Sequence, residues 1–194
     1  IKKMHKKFIK PWAFKKEEQG FYAMANGGIP NLVYASWIND KKLAAKEFNF
    51  TFKYVDRIFY DDGYINNNSF RGYRGLWYHS YGLNSILGYI HLAKLWGAEI
   101  PPNIIKKVTK SAEVLNLGIL DYEKYSSRKF DEFQKNNNYK KKNARMHTHQ
   151  EAIAIDTLME MITGVKLEID GIYLSKRASK GIDNLIGFNA NCIK

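Results

Sequence analysis

Apolar residues return at close to every 3.6 positions in segment after segment of this chain, which commits it to helices that pack through one face. Ahead of them, Pro30 suits the first turn of a short helix through Leu32, Val33, Tyr34 and Trp37, with Gly27-Gly28 as the preceding loop and an end near Asn39. Asp40 can cap a second helix whose apolar side carries Ala44, Phe48, Phe52, Val55 and Phe59, until Asp61-Asp62-Gly63 stops it. The pattern resumes through Leu83, Ile86, Leu87 and Ile90 as far as Gly97. Pro101-Pro102 opens another helix with Ile104, Ile105, Val108, Ala112 and Leu115 inward, and Ala152, Ile155, Leu158, Met159 and Ile162 mark one more, closed by Gly164. Short connections between such helices predict an all-α fold of antiparallel helical hairpins.

Residues 121–143 break the pattern. They are polar, with Asn136-Asn137-Asn138 and the lysines 140 to 142, and read as a long loop. Val165 to Tyr173 alternates enough to allow a short strand or hairpin. With 194 residues, 45% hydrophobic and 14% aromatic, residues 1–194 can form a single domain around one core.

Lys and Arg outnumber Asp and Glu by 31 to 19, a net charge of +12, which favours nucleic acid, an anionic membrane surface or an acidic polysaccharide as partner. Much of the excess lies in Lys2 to Lys16 and Lys140 to Arg145, where a plainly solvated surface is an equally good account. No run of about 18 apolar residues occurs, so no membrane-spanning helix and no membrane partner are expected. No recognition helix or RNA-binding module is discernible, which places nucleic acid last among the polyanions. Cys192 stands alone, which excludes an intrachain disulfide and a cysteine-based zinc cluster.

The densest chemical text is Arg71-Gly72-Tyr73-Arg74-Gly75-Leu76-Trp77-Tyr78-His79-Ser80-Tyr81, at a loop-to-helix junction. One reading is an aromatic-rich helix start in which Trp77 and Tyr78 pack and the arginines face water. The other is a site that removes a proton next to a uronate carboxylate. That chemistry needs a base, a group that neutralises the carboxylate and an acid for the leaving oxygen. Tyrosine can fill the first and last roles, but its ordinary pKa of about 10 calls for a neighbouring cation, and two units of depression ask about 3 kcal/mol of that cation. Arg74 and Tyr81, seven positions apart, are spaced for such a pairing across two helical turns or across a loop.

The order Asp62-Gly63-Tyr64, then Arg74-Gly75-Leu76-Trp77-Tyr78-His79-Ser80-Tyr81-Gly82-Leu83, resembles the signature of the alginate lyase family of polysaccharide lyases, in which an Arg precedes a Tyr-His-Asn-Tyr-type motif. The resemblance covers residues from about Asn26 to Gly97. It implies an (α/α) toroid, here an incomplete barrel that lacks N-terminal helices, and β-elimination of a uronate polymer such as alginate without a cofactor or metal. It also implies a periplasmic or secreted protein. Tyr81 would be catalytic base and acid, and Arg74 would stabilise its phenolate or neutralise the substrate carboxylate. His79, Tyr78, Trp77 and Arg71 would line the substrate subsite. The chain departs from the family where an Asn-Asn-His or Asn-His element is usual: it reads Met24-Ala25-Asn26-Gly27-Gly28, without the histidine. Asn26 is a catalytic candidate because a neutral amide can hydrogen-bond a carboxylate, and equally a turn asparagine before two glycines. A different sugar, weaker catalysis or a non-catalytic carbohydrate-binding relative are the alternatives this departure opens.

Other residues carry weaker signals. Tyr34 and Trp37 are either sugar-stacking platforms or core aromatics. His91 lies in an apolar helix as a core histidine would. His147 and His149, with Glu151, do not share the helix face that a zinc pair at i, i+4 requires, so no metal site is expected, while His149 or Gln150 is placed to face a substrate at a helix start.

Overall fold

A computed structural model of the chain describes residues 1–14, 20–21, 24–66, 68–127, 156–168, 182–183 and 188–189. These are mostly helical. The chain opens with α1 (Lys2–Met4), a π-helical turn over His5–Ile9 and α2 (Lys10–Ala13). Pro11 has no N–H and crowds the carbonyl four residues back, and the wider π turn just before it relieves both demands. Gly27-Gly28, expected as a loop, instead close a second π turn, Met24–Gly28, which leads into α3 (Ile29–Trp37) with Pro30 in its first turn, as the sequence predicts.

Only Ile38 to Asp40 separate α3 from α4 (Lys41–Ile58), and the two helices pack against each other, so the chain reverses as a hairpin. Asn39 turns the corner in the left-handed region, φ 54°. Asp40 then caps α4, its Oδ1 accepting from the Leu43 amide at 2.9 Å. Asp40→Ala should therefore cost about 1 kcal/mol. Chemical denaturation would register that as a lower midpoint with an unchanged slope.

Residues 59–66 and 68–74 run as a loop that begins with a bridge between Phe59 and Ile65 and ends in a 3-10 turn, Gly72–Arg74. The 21-residue α5 (Gly75–Leu95) follows, then α6 (Pro102–Leu120), which packs against both α5 and α4. Helix α5 is the central element: Leu76, Leu83, Ile86, Leu87, Tyr89, Ile90 and Ala93 are all buried within one apolar cluster shared with α3, α4 and α6. His91 is half-buried rather than a core residue. Burial, and secondarily the Lys94 charge, hold its imidazole below the usual value.

The predicted loop over 121–143 is helical at its start. Asp121 caps a short α7 (Tyr122–Ser126) by accepting from the Lys124 amide at 3.0 Å, and Tyr125 drops into the core. Polar composition hid this turn because its one buried residue is too few to make a periodic stripe. Residues 128–143, Ala152, Ile155, His147, His149, Gln150, Glu151 and Cys192 lie outside the described residues. Residues 156–163 form helix α8 with Leu158, Met159 and Ile162 inward. It stops at Gly164, φ 73°. The possible strand at Val165 is irregular over 165–168, while a two-residue antiparallel pair joins Ile182–Asp183 to Phe188–Asn189. No described helix is long and apolar enough to cross a membrane.

Candidate active site

The Arg71 to Tyr81 text straddles the 3-10 turn and the first two turns of α5, and the helix sorts its side chains by direction. Arg74 occupies the N-cap position, so Arg74, Tyr78 and Tyr81 fall at i, i+4 and i+7 along one side of α5. All three are half-buried, as are Arg71 and Trp77. The Arg71 guanidinium sits 4.3 Å above the centre of the Tyr78 ring, a cation–π contact. Tyr78 is in turn 5.4 Å from the Trp77 ring and 6.5 Å from the Tyr81 ring, centre to centre. The Arg71 guanidinium thus meets this ladder of phenols on the face of Tyr78.

His79 points the other way. It is completely buried, so the expectation that it lines a substrate subsite gives way to a structural role. Its Nε2 lies 2.9 Å from the Ser111 carbonyl, which can only accept, and this places the ring proton on Nε2. Nδ1 is therefore an acceptor and takes the hydroxyl proton of Ser69 at 2.9 Å. Ser69 Oγ also accepts from the Ile65 amide at 2.7 Å. Tyr125 donates to the Ser69 carbonyl, and Tyr64 to the Tyr125 carbonyl at 2.8 Å. One neutral imidazole thus ties the 59–74 loop, α5, α6 and α7 together. Burial pushes its pKa down to about 4, against a smaller upward effect of the Ser111 carbonyl. Because Ser69 precedes Arg71 by two residues and Asn68 Nδ2 donates to the Tyr78 carbonyl at 2.9 Å, this internal lock sets where the loop's Arg71 meets the helix's Tyr78.

Of the two readings of Tyr34, the core one fits: it is buried, with its ring stacked at 3.7 Å on the His5 ring. Trp37, by contrast, is 63% exposed and lines a cleft of about 740 Å³ with Leu32, Val33, Leu95 and Trp96, at the far end of α5 from Tyr81. The structure therefore does not join Trp37 to the arginine–tyrosine ladder. Asn26 lies in the second π turn, with its side chain outside the described residues.

A second polar group inside the protein escaped the sequence reading. The Glu47 carboxyl group, fully buried, accepts from Asn31 Nδ2 at 3.0 Å, from the Tyr89 hydroxyl at 2.9 Å and from Thr51 Oγ1 at 3.4 Å. Asn31 Oδ1 accepts in turn from His5 Nε2 at 2.7 Å. The signal was present: Glu47 and Thr51, four apart, fall on the apolar stripe of α4 beside Ala44, Phe48 and Val55. A carboxyl group on a buried stripe requires partners from other helices.

The chain matches no protein-family model, no curated protein and no solved structure.

Proposed function

We propose that this protein is a polysaccharide lyase that cleaves a uronate-containing acidic polymer by β-elimination at the head of α5. The observation that carries the reading is the ladder itself: Arg74, Tyr78 and Tyr81 on one side of the helix, half-buried, with the Arg71 guanidinium against the Tyr78 ring. On this reading Tyr81, as phenolate, takes the proton from the carbon that bears the uronate carboxylate. The electron pair forms the ring double bond, the glycosidic carbon–oxygen bond breaks, and the leaving oxygen recovers the proton from the Tyr81 hydroxyl. Arg74 neutralises the carboxylate, and Arg71 fixes Tyr78 as a wall of the subsite. The resemblance to the alginate lyase family makes Asn26 the candidate for a further carboxylate ligand. The net charge of +12 supports an acidic polymer as substrate. The hairpin of α3 and α4 and the packing of α5 on α6 are in keeping with part of an (α/α) toroid.

The test is absorbance of the unsaturated uronate product from alginate and from glucuronan, with Tyr81→Phe beside the parent. That substitution removes one hydroxyl from a half-buried ring and is expected to lower turnover by about a thousandfold while the thermal midpoint holds. Binding of either polymer without product from the parent would instead favour the carbohydrate-binding alternative, for which the missing histidine near Asn26 is the specific reason.

A further inference from the structure

The helical run from Lys2 to Ala13 presents two opposed faces. Inward, His5 is buried, hydrogen-bonded to Asn31 and stacked on Tyr34, and Ala13 is buried against Gly27. A side chain at Gly27 would strike the backbone of Trp12 and Ala13, so α2 is seated directly on the body. Outward, Ile1, Met4, Phe8 and Trp12 recur at helical spacing and are 71%, 60%, 58% and 41% exposed. Lys2, Lys3, Lys6, Lys7 and Lys10 are all exposed beside them, and residues 1–16 contain no acidic residue.

We infer that this face is a docking surface for an anionic lipid bilayer, with Met4, Phe8 and Trp12 entering the headgroup boundary and the lysines meeting the lipid phosphates and carboxylates. Met4, Phe8 and Trp12 in a row, flanked by same-sign charge, are the pattern of a helix that lies in a membrane interface. An acidic polysaccharide would satisfy the lysines but offers no apolar medium to take the stripe out of water. A second copy of the chain would cover the stripe, yet self-complementary pairing brings the two lysine rows together without a compensating acid. A bilayer surface meets both features at once. The contact concerns the surface of the membrane, so it revises the expectation of no membrane partner, which rested only on the lack of a spanning helix, and it adds to the proposed lyase activity without depending on it.

Sedimentation of the whole protein with phosphatidylcholine vesicles, with and without phosphatidylserine, tests this. Binding is expected only when phosphatidylserine is present, and should weaken with salt. Phe8→Ser should lower the partition coefficient about tenfold, since it removes most of one buried aromatic, and the pair Lys6→Gln with Lys7→Gln should lower it by a similar factor. Both changes are at exposed positions, and melting curves verify the fold. Met4→Ser serves as the second stripe variant should Phe8→Ser melt early. No binding by the parent, equal binding to phosphatidylcholine alone, or full binding by both stripe variants each overturns the inference. So does a stable dimer in solution that ignores vesicles.

Discussion

Gly28→Ala is expected to lower stability by about 3 to 5 kcal/mol, a large share of the roughly 5 to 15 kcal/mol that holds an ordinary domain folded. The backbone is not the reason, because Gly28 has a φ of −64° that suits any residue. The reason is space. A Cβ there would overlap the Tyr89 hydroxyl and stand 2.7 Å from Glu47 Oε1, and both of those side chains are completely buried. Tyr89 cannot move without breaking its 2.9 Å hydrogen bond to Glu47. Burial, then the Glu47 charge, push the Tyr89 phenol well above its usual pKa, so it keeps its proton and remains the donor. Displacing it leaves a buried carboxyl group short of a partner and disturbs Asn31 and, through it, His5. Urea unfolding gives the measurement, and a midpoint equal to the parent's would show that the cluster does not press on Gly28. Gly97→Ala is the contrasting control. With φ 65° and nothing within 4 Å of its Cβ position, it should cost only about 1 kcal/mol, from the left-handed backbone.

Acid should destabilise the protein between pH 6.5 and about 4, and His79 should be the main cause. Its folded pKa of about 4 lies below the ordinary 6.5, so between those values the unfolded chain binds a proton that the folded chain refuses. Stability from this group is thus complete above pH 6.5 and is lost progressively as pH falls toward 4. The two and a half units correspond to roughly 3 kcal/mol. The geometry gives the mechanism: a second ring proton would sit on Nδ1, against the hydroxyl proton that Ser69 donates there. Asp56, held below 3.8 chiefly by its hydrogen bond to Lys107, titrates beneath this window. His91 acts in the same direction as His79 but, being only half-buried, more weakly, and the raised Asp156 opposes it from a half-buried position. Unfolding midpoints measured from pH 7 to pH 4.5 should fall in the parent. His79→Gln should start lower, by a few kcal/mol for the broken lock, and vary much less with pH. A parent whose stability is flat over this range would remove the neutral buried imidazole from the account.

The arginine–tyrosine ladder was largely legible before any coordinates, since Arg74, Tyr78 and Tyr81 keep helical spacing and α5 begins where the loop signals end. What spacing could not supply was direction. Trp77, Tyr78, His79 and Ser80 are consecutive, so a helix must turn some of them inward, and which ones depends on where the neighbouring helices stand. His79 and Ser80 go in, Trp77 and Tyr78 stay half-buried, and His79, one of the residues expected to line the subsite, joins the buried hydrogen-bond network instead. Arg71 shows the reverse case. It sits outside α5, and only the loop's anchoring through Asn68 and Ser69 brings it over Tyr78.

Local sequence determined the helices themselves: Pro30, Asp40 and Pro101-Pro102 begin them, and the apolar stripes choose the buried side, because capping and periodicity act within a few residues. Tertiary structure alone decided how polar residues on those stripes are satisfied. Glu47 draws Asn31, Thr51 and Tyr89 from three helices, and His79 draws Ser69 and Ser111 from a loop and a helix. Tertiary structure also decided that the helix beginning at Lys2 lays His5 inward and leaves Met4 and Phe8 in water. The physical reason is common to all three. A buried hydrogen bond is worth having only where burial and partner coincide, and for Asn31 with Glu47, Glu47 with Tyr89 and His79 with Ser111 that coincidence joins positions 16, 42 and 32 residues apart, beyond the reach of any local pattern.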